Sequence, residues 1–367
     1  MQTQTAVVYE HNKPVVVEHL ELDPPKQGEV LLRMAASGVC HSDLSVVNGT
    51  IYYDPPVALG HEGAGIVEEV GPDVTYVQPG DHVLLAFATS CGECAICNMG
   101  HVVLCTGIEA RLGHLLDNSC RLHNAAGDPI PQMARIGTMS EYAVVSDKSI
   151  IKIEKHYPLD KAVLVGCGVT TGVGAAMNTA SVQPGDKVAV IGTGGVGLNA
   201  VQGAAIAGAE QIIAVDIEDR KLEFASSFGA TDAVNPTEGD PVEAVLELTG
   251  GVGVDYAIEV IGNTKTIEQA YGMVRRRGTV VVVGMDSGDK QIHTPAQDIV
   301  RTEKRLVGSY YGSSNPREDM PKLLKLYDEG KLKLDELITQ TYRLDQINQA
   351  FADLEAGLNA RGVIVFN

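Results

Sequence analysis

The residues of this sequence best able to hold a metal or act as nucleophiles are its seven cysteines and ten histidines. Four of the cysteines crowd into one stretch, Cys91-x2-Cys94-x2-Cys97-x7-Cys105. Four thiolates on one short loop can wrap one ion without help from elsewhere, which is the closed geometry of a structural zinc site. An iron–sulfur cluster is the chemical rival, since cysteines two residues apart also suit one, but no proline follows Cys105 as it does in bacterial ferredoxin motifs. A metal on this loop would hold structure and do no chemistry. Three further segments place ligand-type side chains among glycines: Gly38-Val39-Cys40-His41-Ser42-Asp43, Gly60-His61-Glu62-Gly63 and Gly166-Cys167-Gly168. Each alone means little, because a lone cysteine or histidine is more often a packed core residue. Together these segments supply two thiolates from Cys40 and Cys167, an imidazole from His61 and an adjacent carboxylate from Glu62. Three protein ligands with one open place is the pattern of a catalytic zinc.

A second chemistry is written in Gly192-Thr193-Gly194-Gly195-Val196-Gly197. This G-x-G-x-x-G run follows an apolar strand expected at 187–191 and opens a helix expected at 197–207. Asp216 closes the next expected strand, 211–215. In that setting Gly192, Gly194 and Gly197 let the backbone approach a pyrophosphate, and the helix start, with Gly195 and Val196 in its first turn, stabilises the anion. A carboxylate at Asp216 can accept ribose hydroxyls and would repel a 2′-phosphate, so the expected cofactor is NAD rather than NADP. An ordinary glycine turn in an α/β fold is the bland alternative.

The elements that must position these groups fall into two kinds. Up to about residue 168 the chain shows short β-rich runs between Gly/Pro turns, at 5–9, 15–19, 29–36, 65–70 and 82–86. From about 185 strands alternate with helices: strands at 187–191, 211–215, 255–259 and 279–283, and a helix at 219–228 with Phe224 and Phe228 one turn apart. That alternation implies a parallel sheet covered on both faces. Helices at 320–329 and 344–356 and a final strand at 362–366 follow. The expectation is an α/β protein with a β-rich catalytic domain over 1–168 carrying both metal groups, a doubly wound parallel-sheet Rossmann domain over 169–310, and a return to the first domain over 311–367.

The bulk numbers agree with a soluble enzyme of that size. The chain has 367 residues, 44% of them hydrophobic and 20% charged, with a formal charge of −19. An acidic surface makes nucleic acid and anionic membranes poor partners. An odd cysteine count with no basic-then-apolar start argues against a secreted disulfide framework. No apolar stretch is long enough to span a bilayer. The expected location is cytoplasmic.

On these motifs the sequence resembles the zinc-containing alcohol dehydrogenases of the medium-chain dehydrogenase/reductase superfamily over nearly its whole length. The resemblance is carried by Gly60-His61-Glu62-Gly63-Ala64-Gly65-Ile66-Val67, the four-cysteine loop, Val165-Gly166-Cys167-Gly168-Val169-Thr170-Thr171-Gly172, the glycine loop with Asp216, and the ending Arg361-Gly362-Val363-Ile364-Val365-Phe366. The long segment 106–139 places it nearer the branch with glutathione-dependent formaldehyde dehydrogenases and bacterial aryl or nicotinoprotein-type alcohol dehydrogenases. The resemblance implies a GroES-like catalytic domain. It also implies a catalytic zinc on Cys40, His61 and Cys167, the two-cysteine, one-histidine set already known from alcohol dehydrogenases, with water or Glu62 completing or exchanging at the fourth position. Asp43 would orient His61, and Ser42 would bond the substrate oxygen and pass on its proton. Asp216 and Lys221 would bind the adenosine ribose, and Arg361 would reach the pyrophosphate. Ile51, Phe87 and Tyr310 would line the pocket, which suits a primary, medium-sized or aromatic alcohol. A homodimer is implied, with a homotetramer as the alternative.

Two positions depart from the family pattern. His41 stands where an arginine often faces the pyrophosphate, which leaves His41 as either a weaker cofactor contact or a proton acceptor. Ser45 stands where a histidine often ends the proton relay. Rival readings are a polyol dehydrogenase or an S-hydroxymethylglutathione dehydrogenase on the same scaffold, and a non-enzymatic NAD sensor, which would not need Cys40, His61 and Cys167. Cys120 reads as a free thiol despite His114 and His123 nearby, Arg275-Arg276-Arg277 as a solvated helix end, and the mixed charges of 318–336 as an exposed helix face.

Overall fold

The computed structural model describes residues 1–285, 288 and 290–366. The chain divides into two units. One comprises Met1–Cys167, Asn315–Gly330 and the residues from Leu334 onward; the other comprises Gly168–Ser314 and Lys331–Lys333.

The first unit is built around the strand Glu29–Val39, which is buried along most of its length. It belongs to a seven-stranded sheet and pairs antiparallel with Gly63–Val70, Tyr142–Ser146 and Arg361–Val365. Its inward residues Val30, Leu32 and Met34 pack with Val67, Val83, Leu85 and Val145. The register fixes the site. Ser37 lies opposite Gly63, and Val39 lies opposite Gly362. Cys40, Glu62 and Arg361 are the chain neighbours of Val39, Gly63 and Gly362, so all three arrive at one end of the sheet. A slip of one residue would turn each side chain to the other face.

A five-stranded sheet, Val57–Ala58, Gln2–Val8, Val16–Leu22, Leu122–His123 and Pro129–Ile130, completes this unit. Its last two strands come from the long segment 106–139, which is fastened through Arg121. That guanidinium is fully buried. It donates from Nε to Glu29 Oε2 at 2.9 Å and from NH2 to Asp117 Oδ2 at 2.9 Å. Glu29 opens the central strand, so the segment is tied directly to the element that carries the site.

In the second unit six parallel strands run in the order Asp232–Val234, Gln211–Val215, Lys187–Ile191, Val254–Glu259, Val274–Val282, Arg305–Gly308. Numbered along the chain this is 3-2-1-4-5-6, the doubly wound dinucleotide-binding order. The central strands Lys187–Ile191 and Gln211–Val215 are buried in all but their first residue, as strands covered on both faces must be. The helix Gly195–Ala207 packs closely enough that a Cβ at Gly203 would lie 2.8 Å from Val173 Cα. Phe224 and Phe228 meet edge to face at 4.9 Å.

Some local expectations need correction. Arg275, Arg276 and Arg277 do not end a helix. The helix Thr264–Met273 stops before them, and they lie in the strand Val274–Val282, which begins five residues earlier than its apolar core suggested. The backbone pairs Val254 with Val274, while Arg275 Nε reaches Asp255 at 2.6 Å and the next two arginines face solvent. Pairing, rather than side-chain polarity, decides the boundary. The helix Pro316–Asp328 starts four residues before the expected Met320, with Pro316 in its first turn, where a missing N–H costs nothing. The stretch from Leu344 is first a 3-10 turn and becomes α-helical at Ile347. Among the described residues no single helix is long and apolar enough to cross a membrane.

Arg121→Leu leaves the Glu29 carboxylate buried without its partner. Breaking such a pair costs about 3–5 kcal/mol, whereas Lys26→Ala, which removes an exposed 3.6 Å pair to Asp117, changes stability by less than about 1 kcal/mol. Urea unfolding of the two variants measures the contrast.

Candidate active site

Cys40 follows the central strand and precedes the helix His41–Val47. Its backbone N–H donates to Asp43 Oδ2 at 3.2 Å, and the other oxygen of that carboxylate, Oδ1, lies 2.9 Å from His61 Nδ1. One buried aspartate therefore orients two of the expected ligands. The Cys40, His61, Glu62 and Cys167 ligand atoms all lie within 4.8 Å of one another, and all four residues are buried.

The segment around Glu62 is held from below. The Glu62 carbonyl accepts from Ser37 Oγ at 2.9 Å, Thr138 Oγ1 at 2.9 Å and Gly38 N at 3.2 Å. Its Oε2 accepts from Arg361 NH2. Gly38 is required, because a Cβ there would lie 2.0 Å from Glu62 Oε2. Ser37, Gly38 and Thr138 escaped the sequence reading. Small polar residues and a glycine in a strand carry no signal until the register is known.

The donor set fits a zinc ion. His61 Nε2 and Glu62 Oε1 are buried without a hydrogen-bond partner among the described residues, 4.0 Å apart. Asp43 fixes the proton on His61 Nδ1, so the free lone pair is on Nε2. Cys167 and His61 hold the Cys40 thiol well below its usual range despite burial. Cys167 is pushed well up, first by Cys40 and then by burial. A divalent cation held by Cys40 and Cys167 would remove that like-charge penalty. Burial raises the Glu62 carboxyl to about 7 against the pull of Arg361. Burial draws His61 down, but Asp43 and Cys40 outweigh it and hold the imidazole well above its usual value.

Cys91, Cys94, Cys97 and Cys105 form a second group whose sulfurs lie within 4.8 Å of one another. Backbone amides already point at them: Cys94 N to Cys91 Sγ at 3.2 Å, Cys97 N to Cys94 Sγ at 3.5 Å and Cys91 N to Cys105 Sγ at 3.2 Å. This is a cradle for four thiolates on one metal. Cys120 belongs to neither group, and burial pushes its thiol up.

Other expected residues distribute as follows. Ser42 Oγ lies 3.9 Å from Cys40 Sγ. His41 and Ser45 lie on the same short helix, His41 exposed. Phe87 meets the His61 ring edge-on at 5.7 Å, and Ile51 packs against the cluster that includes Val46 and Tyr53. Tyr310 belongs to the second unit and is 46% exposed.

In the second unit Gly194 caps the helix Gly195–Ala207 without any side-chain bond to its first amides, and a Cβ on Gly194 would meet nothing within 4 Å. Amides at a helix start beside open space are able to hold an anion. Asp216 Oδ2 accepts from Thr193 N at 2.8 Å and Thr193 Oγ1 at 3.0 Å, and Oδ1 accepts from Glu218 N at 3.1 Å. A carboxylate has about four acceptor positions, so capacity remains for about one further donor. Lys221 Nζ lies 2.6 Å from Glu218 Oε1. Thr193 and Glu218 were not singled out by the sequence, since the motif leaves both positions open.

With this geometry in place the comparisons are specific. Residues 26–155 match the alcohol dehydrogenase GroES-like domain, and residues 195–329 match the zinc-binding dehydrogenase model. An NDMA-dependent alcohol dehydrogenase of Amycolatopsis methanolica is 42% identical over 369 residues, covering 100% of this chain and 99% of its own. The S-(hydroxymethyl)glutathione dehydrogenase of Saccharomyces cerevisiae is 42% identical over 371 residues, covering 98% and 95%. The crystal structure of benzyl alcohol dehydrogenase from Acinetobacter calcoaceticus superposes with a TM-score of 0.93 at 32% identity over 100% of both chains. The chain belongs to the zinc-containing alcohol dehydrogenases of the medium-chain dehydrogenase/reductase superfamily. It is a zinc-dependent oxidoreductase acting between an alcohol and NAD.

Two groups of different construction separate on mutation. Cys40→Ser lowers metal content from about two zinc ions to about one and abolishes turnover while the fold persists, whereas Cys97→Ser lowers the melting temperature first. Elemental analysis beside calorimetry reads both, and active wild type with a single zinc would contradict the assignment.

Proposed function

We propose that this enzyme oxidises a primary, medium-sized or aromatic alcohol to its aldehyde, with catalytic zinc on Cys40, His61 and Cys167 and structural zinc on the four-cysteine loop. The observation that carries the substrate class is Phe87, whose ring sits edge-on to His61 at 5.7 Å. A flat apolar side chain beside the ligand set, with Ile51 near the same helix, favours an aryl or alkyl group over a polyol. The benzyl alcohol dehydrogenase likeness supports the same reading.

Zinc supplies Lewis acidity that lowers the pKa of an alcohol hydroxyl. The chain's own residues do the rest. Ser42, whose hydroxyl is 3.9 Å from Cys40 Sγ, hydrogen-bonds the substrate oxygen and accepts its proton while giving up its own to water, so the serine ends neutral. Loss of that proton makes the carbinol carbon a better hydride donor. Asp43 holds His61 in the tautomer that leaves Nε2 free, and Arg361 offsets the Glu62 charge. The amides that start the helix at Gly195 bind the pyrophosphate, and Asp216 binds the adenosine ribose. Ser45 has no imidazole, so it cannot end a histidine relay.

The enzyme acts as a homodimer. Among the described residues the strand Arg305–Gly308 has a neighbour on one side of the sheet only, with Leu306 exposed. The adjacent helix Ala296–Thr302 buries none of its residues and leaves Val300 78% exposed. An open apolar edge of this kind is complementary to itself in a two-fold pairing. A cytoplasmic location fits thiolate ligands that must stay reduced.

Rates with benzyl alcohol, hexanol, glycerol, sorbitol and hydroxymethylglutathione test the substrate class: benzyl alcohol and hexanol turn over at least about ten-fold faster than the polyols, a difference of about 1.4 kcal/mol. A preference for hydroxymethylglutathione would overturn this reading in favour of the formaldehyde-adduct activity. In the same assay Asp216→Ser narrows the NAD-to-NADP gap, and equal use of both cofactors by wild type contradicts the role of Asp216. Sedimentation of wild type gives a dimer mass, while Leu306→Lys with Val300→Glu gives monomer; a monomeric wild type rejects the pairing.

A further inference from the structure

Glu259 ends the strand Val254–Glu259 and is completely buried in the second unit. Strand pairing places it beside Ile191, the residue before Gly192. Its Oε1 accepts from Ile261 N at 3.0 Å, Gly262 N at 2.9 Å and Thr266 Oγ1 at 2.7 Å. Its carbonyl accepts from Val283 N at 2.8 Å and Gly284 N at 3.1 Å. One residue thus ties together the end of its own strand, the turn after it, the start of the helix Thr264–Met273 and the end of the neighbouring strand Val274–Val282. Oε2 is shielded from solvent and has no hydrogen-bond partner among the described residues. No step of the alcohol chemistry uses this carboxyl.

What the turn touches gives it a function. Val260 N donates to Ile191 O at 3.0 Å. A Cβ placed on Gly192 would lie 2.7 Å from Ile261 Cγ1 and 3.1 Å from Val260 Cγ2, and one on Gly197 would lie 3.2 Å from the same Val260 methyl. On the far side a Cβ on Gly284 would lie 2.0 Å from Gly262 N. The turn is therefore wedged between the glycine loop and the next strand, with Ile261 51% exposed at the carboxyl edge of the sheet. That edge is where open α/β sheets bind their ligands. The glycine loop can present its amides in one geometry only if the surface behind it is fixed.

We propose that Glu259 is a positioning residue for the dinucleotide: its buried carboxyl locks the turn 260–263, whose Val260 and Ile261 side chains form the wall that holds the glycine loop in its binding conformation. The proposal rests on the reading of that loop as the pyrophosphate site. The carboxyl acts as an acceptor and needs no charge. Burial pushes its proton affinity up, and glutamine at this position keeps the Oε1 acceptor.

The test is NADH affinity of the zinc-loaded enzyme, read by fluorescence titration at a temperature where each variant is folded by circular dichroism. Glu259→Leu raises the NADH Kd at least about five-fold, about 1 kcal/mol, and raises the KM for NAD more than it lowers kcat at saturating NAD. Glu259→Gln stays within about two-fold of wild type, at the scale of a single neutral hydrogen bond. A Leu variant with lowered Tm and unchanged Kd would show a purely structural role and overturn the proposal; a Gln variant as impaired as Leu would overturn the acceptor account. If Glu259→Leu does not fold, Thr266→Val removes one of the three bonds to Oε1 and raises the Kd about two- to three-fold; no change overturns the proposal equally. Gly192→Ala separates the two readings. If it leaves NADH binding intact, the glycine-loop assignment itself fails. If it weakens binding while Glu259→Leu does not, only the role of Glu259 fails.

Discussion

Charge balance in a dry site is the constraint on which the catalytic unit depends. Two thiols, an imidazole and two carboxyls, Asp43 and Glu62, are buried together with one guanidinium, Arg361. An uncompensated buried ion costs several kcal/mol. Here Asp43 is spent on His61 and the Cys40 amide, and Glu62 is balanced by Arg361. The two sulfurs remain: Cys167 favours ionisation of Cys40, and the Cys40 thiolate in turn opposes ionisation of Cys167. A zinc ion satisfies that residue of negative charge, which makes metal binding part of the stability of the site as well as its chemistry.

Such a balance is possible only because strand register delivers its members together. Cys40 leaves the central strand, Glu62 precedes one partner strand and Arg361 begins another. The four-cysteine loop solves a different problem. It is local in sequence, draws its amide donors from its own backbone and asks nothing of the sheet. The long segment that follows it is anchored to Glu29 through Arg121, so its charge, too, is compensated at the origin of the central strand.

The dinucleotide end works by the opposite physics. It offers an anion the amides at a helix start, with glycines where a side chain would collide. The carboxylates there act as acceptors for protein donors: Asp216 for Thr193 and Glu218, Glu259 for its turn. Glu218 in turn holds Arg220 and Lys221. On the proposed assignment Asp216 would meet a ribose with part of its capacity already committed, and Lys221 would meet it already paired. Both features tie cofactor affinity to the protein's own hydrogen bonds.

Some of this was decided by the sequence alone. The four-cysteine spacing names its ligands because one loop closes around one ion. The glycine loop between a strand and a helix names its ligand class because backbone clearance and helix polarity are local properties. The strands 187–191 and 211–215 were legible to the residue because, after a polar first residue, covered strands are apolar. Other features could be decided only by the tertiary structure. Cys40, His61 and Cys167 are separated by up to 127 positions, and ligand type among glycines together with the family resemblance, not spacing, joined them beforehand. Ser37, Gly38 and Thr138 acquire meaning only when register sets them around Glu62. The arginines 275–277 read in sequence as a solvated helix end; Arg276 and Arg277 are exposed, but all three lie in a strand whose start is set by the pairing of Val274 with Val254. Glu259 looks like one more acid among many. Burial between two strands and a turn makes it a hub, because a carboxyl removed from water must find its donors in the surrounding fold.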